Sequence, residues 1–413
     1  MWRLGRIVSY RSIAFLVLGL VLVGVTQLVA RPGPTAIVQP FPSDPSALAV
    51  DPRTGHTFVA LLSPGPGPGA VAMLDTRSGT LLRTVPVGYN PSALAVATRA
   101  GRVFVLNSDP TVSVLDAVSG APVRTLALRA LPYALAVDER AAQVFLDTAD
   151  GGLEVLSART GVLLHSLPLG GHPGAIVVDP PRWRVVVSTD TATQEQVVVL
   201  DARHGHRLHT IVVGTAPGKE GAEMALDERS GQAFVAQPLS GRVSLLDVGR
   251  GRILGVLPVA PGDAVGGILA LAGRLVVVGA DGASVAVLDA RTGRLLRTEA
   301  VGPLPADLTP AAQAGRVLVV CRGATTAGGA LTGPGYVAVL DVRAAAVRLR
   351  PVGGVPVAVA ADSATGRIIV ANRRGLALPG ASWVPGWLRR WLPFLAPSSP
   401  PVPPGVSLLP TPR

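Results

Sequence analysis

Short apolar runs alternate with turns of one recurring form along most of this chain. Seven times a strand-like apolar segment runs into the turn Asp-x-x-x-Gly or a near variant, which begins at Asp75, Asp116, Ser157, Asp201, Asp247, Asp289 and Asp341. The steps between these positions are 41, 41, 44, 46, 42 and 52 residues. A period in the low forties with several short strands in each unit predicts an all-β fold, a β-propeller of four-stranded antiparallel blades.

The first unit shows the plan of one blade. Apolar or alternating segments over residues 46–50, 57–61, 71–74 and 81–87 predict its four strands. An Asp at the first position of a turn accepts backbone N–H groups, and a Gly supplies the left-handed conformation that such hairpins need. We therefore interpret the repeated aspartates as turn formers and not as catalytic acids.

The number of blades follows from the number of copies. Full copies span residues 45–88, 91–128, 132–169, 173–213, 217–259, 264–301 and 306–352. A partial copy at 356–360 and 367–372 holds only two inner strands, and residues 35–39 resemble an outer strand that lacks a blade. Pairing these pieces would close the ring and remove the sheet edges that invite aggregation. We therefore predict eight blades over residues 35–375, with seven as the alternative if a weak copy is merged or the partial copy lies outside the ring.

Several units share a more specific pattern. Residues 103–108 read Val-Phe-Val-Leu-Asn-Ser, residues 368–372 read Ile-Ile-Val-Ala-Asn, and glycines end the blades at Gly88, Gly214, Gly302 and Gly353. Over about 45–372 the chain resembles the YVTN β-propeller repeat family, although Ser157 replaces the turn Asp and most copies lack the family's Tyr and Asn. This resemblance implies a secreted or surface-exposed bacterial protein, often without enzymatic activity, and it transfers no catalytic residue.

The net charge of +11 lies at the two ends of the chain. Four arginines precede Asp44 and six follow Asp362, with no acidic residue in either segment, so 27 basic residues face 26 acidic ones in between. A nucleic-acid-binding surface needs clustered basic groups. The nearly neutral ring therefore argues against nucleic acid as a partner.

An apolar run near the N-terminus predicts a membrane anchor. Residues 13–30 form 18 consecutive uncharged positions, a length that reaches the range of a spanning helix and exceeds the core of a signal peptide. Three arginines before the run and one after it place the N-terminus in the cytoplasm and the propeller outside. We therefore predict a cytoplasmic N-terminus and a transmembrane signal anchor over 1–31 of a single-pass cell-membrane protein. Secretion after signal cleavage is the alternative.

The segment after the predicted ring is rich in tryptophan and proline. Trp383, Trp387 and Trp391 recur at spacings of four beside Arg389 and Arg390. A short helix over this segment, 381–396, would suit a membrane interface, while docking against the side of the propeller is the alternative. The proline-rich residues 397–413 predict an extended, disordered tail.

Candidate ligand-binding residues cluster in two sets of loops. The connections between blades share one face of a propeller with the loops between the two middle strands, and the central channel opens there. The stronger candidates come from the blade connections: Tyr89, Asn90, Tyr133, His172, Lys219, Glu220, Glu223, Asp263 and Asp307. The middle loops add Asn107, Asp109, Asp147, Asp150, Asp190, Glu195 and Asp281. Each of them also fits an ordinary solvated loop residue.

The sequence gives little indication of a metal site, a cofactor site or a catalytic centre. His204, His206 and His209 are weak metal candidates, because they share the opposite-face turn of one blade and lack a fourth ligand. The single Cys321 excludes an intramolecular disulfide and lies in an apolar run, as expected of a small buried thiol. No carboxylate pair recurs in an acid/base arrangement. We predict no catalytic residue, no metal and no cofactor.

These observations favour a membrane-anchored extracytoplasmic propeller that acts as a binding or protein-interaction module without catalysis, with an envelope protein or a glycan as its partner. A propeller enzyme, such as a lactonase-like hydrolase or a quinoprotein-like dehydrogenase, is the alternative. The former needs a ring of acids and amides in the channel, and the latter needs more aromatic residues than 4%. A purely structural surface protein is a third possibility.

Overall fold

Eight four-stranded antiparallel sheets make up the fold, seven of them built from four strands that follow one another along the chain. The innermost strand of each blade contacts that of the next blade, and the eighth contacts the first, so the blades close a ring around a central channel. The computed structural model describes residues 37–214, 222–237, 241–258, 265–279, 283–323, 335–373 and 403–409. The predicted eight-bladed propeller is confirmed, and the seven-bladed alternative is wrong.

The first four blades follow one another along the chain. Their strands, from innermost to outermost, are β2 (Pro45–Asp51), β3 (His56–Leu61), β4 (Ala70–Asp75) and β5 (Leu81–Pro86); β6 (Ala93–Ala97), β7 (Arg102–Leu106), β8 (Thr111–Asp116) and β9 (Pro122–Ala127); β10 (Pro132–Asp138), β11 (Gln143–Thr148), β12 (Gly152–Ser157) and β13 (Leu163–Pro168); β14 (His172–Asp179), β15 (Arg184–Asp190), β16 (Glu195–Asp201) and β17 (Arg207–Gly214). A single 3-10 turn, Pro180–Arg182, follows β14.

Blades 5 to 7 repeat this plan, and blade 8 takes its outermost strand from the beginning of the ring. Their strands are β18 (Glu223–Asp227), β19 (Gln232–Gln237), β20 (Arg242–Asp247) and β21 (Arg252–Pro258); β22 (Val265–Leu271), β23 (Arg274–Gly279), β24 (Ser284–Asp289) and β25 (Leu295–Ala300); β26 (Pro305–Pro310), β27 (Arg316–Cys321), β28 (Gly335–Asp341) and β29 (Ala346–Val352); β30 (Val355–Ala361), β31 (Ile368–Arg373), β32 (Gly405–Leu409) and β1 (Ile37–Pro40).

The eighth blade confirms one prediction and corrects another. β1 forms its outer strand, as expected, but the third strand is β32, which lies inside the segment 397–413 that the sequence analysis assigns to a disordered tail. Val406 and Leu409 are buried, and Asn372 Nδ2 donates to Ser407 Oγ at 2.9 Å. Prolines on both sides of this five-residue strand obscure its pattern in the sequence. A connection of 31 residues also separates it from β31. The propeller therefore extends to Leu409 and not to residue 375.

The same connection, residues 374–404, contains the tryptophan-rich segment 381–396. This segment is therefore inserted between two strands of blade 8 and does not follow the ring. Trp383, Trp387 and Trp391 lie outside the described residues, so their predicted membrane contact stays a prediction. Residues 1–36, which include the predicted anchor, lie outside them as well. Within the described ranges, no helix is long and apolar enough to span a membrane.

The core lies between neighbouring blades. The second and third strands of a blade are covered on both faces by the adjoining sheets, which explains why they read as continuous apolar runs. Phe58 and Val71 of blade 1, for example, pack against Val103 and Val105 of blade 2. The innermost strands are half-buried because they line the channel, and the outermost strands are largely exposed.

The two ends of the ring differ in their loops. One end, the turn face, carries the Asp-x-x-x-Gly turns such as 51–55 and 75–79; the other, the channel face, carries the middle loops and the blade connections such as 62–69 and 87–92. In a representative turn, Asp116 Oδ1 accepts the N–H groups of Val118 at 3.1 Å and Ser119 at 2.9 Å, and Arg102 pairs with its other oxygen at 2.6 Å. The turn aspartates thus hold their own hairpins.

Arginine side chains join neighbouring blades near the turn face. A guanidinium presents several donors in a planar fork, which suits backbone carbonyl oxygens. The bonds that cross from one blade to the next run from Arg83 to Ser119, Arg140 to Pro180, Arg182 to Glu228, Arg297 to Ala344 and Arg367 to Arg77. Part of the arginine content therefore holds the ring together.

Candidate functional site

The channel face holds the described ligand-binding candidates from the blade connections. Lys219, Glu220 and Asp263 lie outside the described residues, as does Asp281 of the middle loops. The other six candidates are distributed around the ring from the first blade connection to blade 7: Tyr89, Asn90, Tyr133, His172, Glu223 and Asp307. They do not form one cluster, and we consider them in groups.

Asn90 supports the connection between blades 1 and 2. Its Oδ1 atom accepts the N–H group of Ser63 at 3.0 Å, and its backbone carbonyl accepts a bond from Ser108 Oγ at 2.7 Å. Its φ of +40° lies in the left-handed region, which Asn tolerates better than most residues. Its side chain is therefore committed to the shape of the loop.

Three large side chains with apolar surface are exposed on the channel face near blades 2 and 3. Tyr89, Leu131 and Tyr133 have exposed fractions of 45%, 41% and 60%, and we name them the aromatic patch. Tyr133 lies at a bulge of β10, between Pro132 and Leu135, where the strand leaves its regular pairing. The other exposed large apolar side chains of the described residues lie on outer strands or at the turn face. Leu131 was not among the predicted residues, because an isolated Leu in a loop has no distinguishing pattern.

Blade 4 brings two carboxylates and a histidine together at the channel face. The strand register places Asp190 opposite both His172 on β14 and Glu195 on β16. Gln237, which the sequence analysis missed, reaches over from blade 5 and donates from Nε2 to Glu195 Oε2 at 2.7 Å. The pKa of Asp190 is raised to about 6, chiefly by burial and also by the charge of Glu195, while His172 acts in the opposite direction.

A cleft of about 290 Å³ opens beside this group, between blades 3 and 4. Its lining includes Asp150, Gly171, His172, Asp190 and Thr191. Two opposed carboxylates that compete for protons can attract a cationic group or a hydrogen-bond donor. The arrangement is thus a polar cleft on the channel face.

Asp147 has a structural place inside blade 3. It is fully buried, and its Oδ1 atom accepts the N–H group of Ala134 in the bulge of β10 at 2.6 Å. Burial raises its pKa to about 7, although backbone N–H groups act in the opposite direction. In blade 4 the equivalent residue is Ser188, whose Oγ atom accepts the N–H group of Ala175 at 2.8 Å. Asp147 therefore stabilises an inner strand and does not face the channel as a ligand.

Glu223 of blade 5 and Asp307 of blade 7 interact electrostatically. The pKa of Asp307 is raised to about 6, chiefly by burial and also by the charge of Glu223, while the Leu308 N–H group and Arg322 act in the opposite direction. The side chain of Glu223 is exposed to solvent. Desolvation by the surrounding protein nevertheless raises its pKa as well. Two carboxylates and one guanidinium thus interact on this part of the channel face.

The three histidines of the predicted cluster and Cys321 make contacts that belong to the fold. His204 and His206 stack at the turn face with their ring centroids 5.9 Å apart, and His204 Nδ1 lies 3.1 Å from Asp201 Oδ1. His209 lies on β17 and packs against Gly251 of blade 5. Cys321 is buried, its Sγ atom donates to the Val301 carbonyl at 3.1 Å, and burial raises the pKa of the thiol to about 12. Across the described ranges, no group of three or more His, Cys, Asp or Glu side chains is arranged to hold a metal ion.

Comparison with known proteins gives a family match over part of the chain and similar folds among solved structures. Residues 67–239 match the family PQQ_2, described as outer membrane protein assembly factor BamB. No curated protein matches the chain. The fold is similar to BamB from Moraxella catarrhalis, at 17% identity and a TM-score of 0.53 over 67% of this chain and 82% of that one.

Two further solved structures are similar in fold. The computationally designed Ika8 protein matches at 18% identity and a TM-score of 0.61, over 80% of this chain and 94% of its own. The WD40 repeats of RRP9 match at 13% identity and a TM-score of 0.54, over 69% of this chain and 89% of their own. At such identities the likeness concerns the propeller fold, because unrelated functions share this architecture.

Proposed function

We propose that this protein is a non-catalytic interaction module of the cell envelope, and that it binds a protein partner through the aromatic patch. The exposure of Tyr89, Leu131 and Tyr133 on one face carries this proposal. Tyr is enriched at the centres of protein interfaces, where it supplies a large contact area at a low cost in side-chain entropy. Polar groups such as Asp109 and Asp150 on the neighbouring middle loops would form the rim.

The comparisons support the same proposal. The matching family is described as an outer membrane protein assembly factor, and BamB from Moraxella catarrhalis has a similar fold. The sequence resemblance to YVTN repeats points in the same direction, toward an extracytoplasmic binding scaffold. A ring of eight blades offers such a scaffold, because its loops vary while the strands beneath them remain rigid.

We also place the propeller on the outer side of a membrane, anchored by residues 13–30. The apolar run and the arginines before it support this arrangement. We expect the full-length protein to stay with the membrane fraction after an alkaline wash, and the propeller to be cut by protease added outside the cytoplasmic membrane. Release of the protein by the wash would contradict the anchor and leave the binding proposal untouched.

Photo-crosslinking tests the binding surface directly. A photoreactive amino acid at position 89 or 133 should capture the same partner in intact cells. Val118 on the turn face and Leu349 on an outer strand are matched controls, because they are as exposed, at 58% and 49%. We expect no capture of that partner from either control position.

A variant then tests the contribution of the patch. Replacing Tyr89 and Tyr133 by Ser removes both rings, and we expect the captured partner to bind the purified variant at least tenfold more weakly, a loss of about 1.4 kcal/mol. Equal capture from all four positions, or undiminished binding by the variant, would refute the aromatic patch as the contact surface.

A further inference from the structure

A second cleft lies between blades 2 and 3, on the side away from the channel. Its volume is about 600 Å³, within the range of small-ligand sites. The walls are largely apolar, from Ala127, Leu128, Leu163, Leu167 and Pro168. The polar side chains that line it are those of Arg129, Asp150, Glu154 and Ser166.

Glu154 is an exception among equivalent positions of the eight blades. It occupies the centre of the third strand, opposite Leu146 on one side and Ser166 on the other. By strand register, the equivalent residues of the other blades are Ala72, Ser113, Val198, Ser244, Ala286, Ala338 and Ser407. A small or apolar residue thus satisfies the fold at this position, and a buried carboxylate there costs stability unless it is partnered.

The carboxylate of Glu154 is only half satisfied. Its side chain is buried in a residue that is 5% exposed, and its Oε1 atom accepts a bond from Ser166 Oγ at 2.9 Å. The Oε2 atom has no hydrogen-bond partner in the part of the chain that the structure describes. An unpaired buried oxygen of this kind calls for a donor, and an ammonium group entering the cleft would supply one.

The rest of the lining selects the class of ligand. Asp150 and Glu154 outnumber the single cation Arg129, which forms no ion pair with either of them among the described residues. Apolar walls suit an alkyl stem that leads to a charged head. Because Ser166 occupies Oε1, one oxygen remains free, which suits the point charge of an ammonium better than the bidentate fork of a guanidinium.

We propose that this cleft binds a primary alkylammonium group, with Glu154 as the residue that pairs with the charge. The group belongs either to a free aliphatic amine or to a lysine side chain of a protein. The lining of this cleft contains none of Tyr89, Leu131 and Tyr133, although Asp150 belongs both to it and to the rim suggested for the aromatic patch. The proposal does not depend on the function proposed above.

Calorimetric titration of the full-length protein at low salt tests the site. The probes are n-pentylamine, n-pentylguanidine and n-pentanol, together with acetyl-Gly-Lys-Gly-amide and its norleucine counterpart. We expect the amine and the lysine peptide to bind, the guanidine to bind several-fold more weakly, and the alcohol and the norleucine peptide not to bind. A peptide that binds at least tenfold tighter than pentylamine identifies a protein lysine as the source, and the reverse order identifies a free amine.

Two variants establish that Glu154 carries the binding. Glu154→Gln keeps the size and the bond to Ser166, and we expect it to weaken amine binding at least tenfold. Glu299→Gln is the matched control, because Glu299 is a partly buried strand glutamate of blade 6, paired with Arg297 at 2.8 Å. Absence of amine binding to the wild type, or equal binding by Glu154→Gln, overturns the proposal.

The stability of a third variant separates a binding residue from a structural one. Glu154→Ser restores the residue that blades 2, 5 and 8 carry at this position. A residue that is kept for binding costs stability. We therefore expect the Tm of Glu154→Ser to equal that of the wild type or to exceed it by about 1–4 °C, and we expect the variant to lose amine binding. A Tm lowered by several degrees would show that the carboxylate serves the fold and would overturn the proposal.

Discussion

Six aspartates of the turn face have lowered pKa values, whereas four carboxylates of the channel face have raised ones. The lowered group comprises Asp75, Asp116, Asp201, Asp247, Asp289 and Asp341. The raised group comprises Asp147, Asp190, Glu223 and Asp307. Burial opposes ionisation at both faces, but the turn aspartates accept several N–H and O–H groups of their own hairpins, which outweigh it.

The comparison separates residues that repeat from residues that do not. A turn aspartate such as Asp116 finds its N–H partners within three residues and its arginine partner in its own blade, so each blade can carry one independently of its neighbours. A carboxylate of the channel face meets groups of other strands or other blades, as Glu195 meets Gln237. Repetition therefore marks local structure, and departure from repetition marks positions where the protein accepts an energetic cost.

The glycines of the two faces differ in the same way. Gly55 on the turn face has a φ of +71° and open space around it, so it is needed for its backbone conformation. Gly88 on the channel face lies so close to blade 2 that an added Cβ would be 2.5 Å from the side chain of Asn107. One glycine serves its own turn, and the other serves the contact between blades.

The largest expected effect concerns Asp147. Its pKa is about 7 in the folded protein and 3.8 in the unfolded chain, so between these values the folded state holds a proton that the unfolded state has lost. The contribution of Asp147 to the free energy of unfolding should therefore fall by on the order of 4 kcal/mol as the pH rises from 4 to 7. Asp147→Asn removes this pH-dependent contribution. Denaturant unfolding should show that the free energy of unfolding of the variant, relative to that of the wild type, is higher at pH 8 than at pH 4 by the same amount.

Asp116→Asn is the control from the opposite face. The folded pKa of Asp116 is below 3.8, so the stabilisation by its carboxylate is complete above pH 4 and is lost only as the pH falls further. The variant should be less stable than the wild type by a constant amount between pH 4 and pH 8. If the free energies of unfolding of the two variants depended on pH in the same way, the proposed difference in pKa shift between the two faces would be wrong.

The next effect sharpens the difference between the glycines. Gly88→Ala should lower the free energy of unfolding by about 1–3 kcal/mol, because the neighbouring blade must move to accept the methyl group. Gly55→Ala should cost about 1 kcal/mol for its left-handed conformation. Asn tolerates that conformation, so Gly55→Asn should recover part of the loss, whereas Gly88→Asn should be worse than Gly88→Ala. Chemical denaturation of the four variants decides, and recovery by Gly88→Asn would contradict the assignment.

The smallest effect tests the repeat itself. Blade 3 carries Ser157 where the other turns carry Asp, and Ser157 Oγ accepts the N–H group of Thr160 only at 3.3 Å. Ser157→Asp should raise the free energy of unfolding by about 0.5–1 kcal/mol, by adding the bonds that Asp116 makes in blade 2. The converse change Asp116→Ser should lower it by a similar amount. A destabilised Ser157→Asp variant would show that the blades are not interchangeable at this turn.

Much of the fold was predictable because its determinants are local and recur. The turns at Asp75 and Asp116 obey the same hydrogen-bond rules, and the spacing between them reveals the blade. β32 was not predictable, since five residues among prolines show no periodicity and a 31-residue connection hides their place in the repeat. Its burial depends on Asn372 and on β1 from the other end of the ring.

The site was predictable only as a face. Loop position alone placed His172, Asp190 and Glu195 at the channel face, because the strand order of a propeller assigns every loop to one end. It did not show that Asn90 holds its own loop, that Leu131 is exposed on the same face as two tyrosines, or that Glu154 lies in a cleft. These features depend on the positions of β-bulges and on the packing of one blade against the next.

By itself, then, the sequence determined the kind of blade and the chemistry of the turns, since hairpin formation needs only neighbouring residues. It favoured eight blades over seven, and the structure decided between them. The tertiary structure alone decided which polar side chains meet, which carboxylates retain protons and where clefts open. The physical reason is range: hydrogen bonds within a turn act over a few residues, whereas burial and charge interactions depend on every strand that surrounds a group.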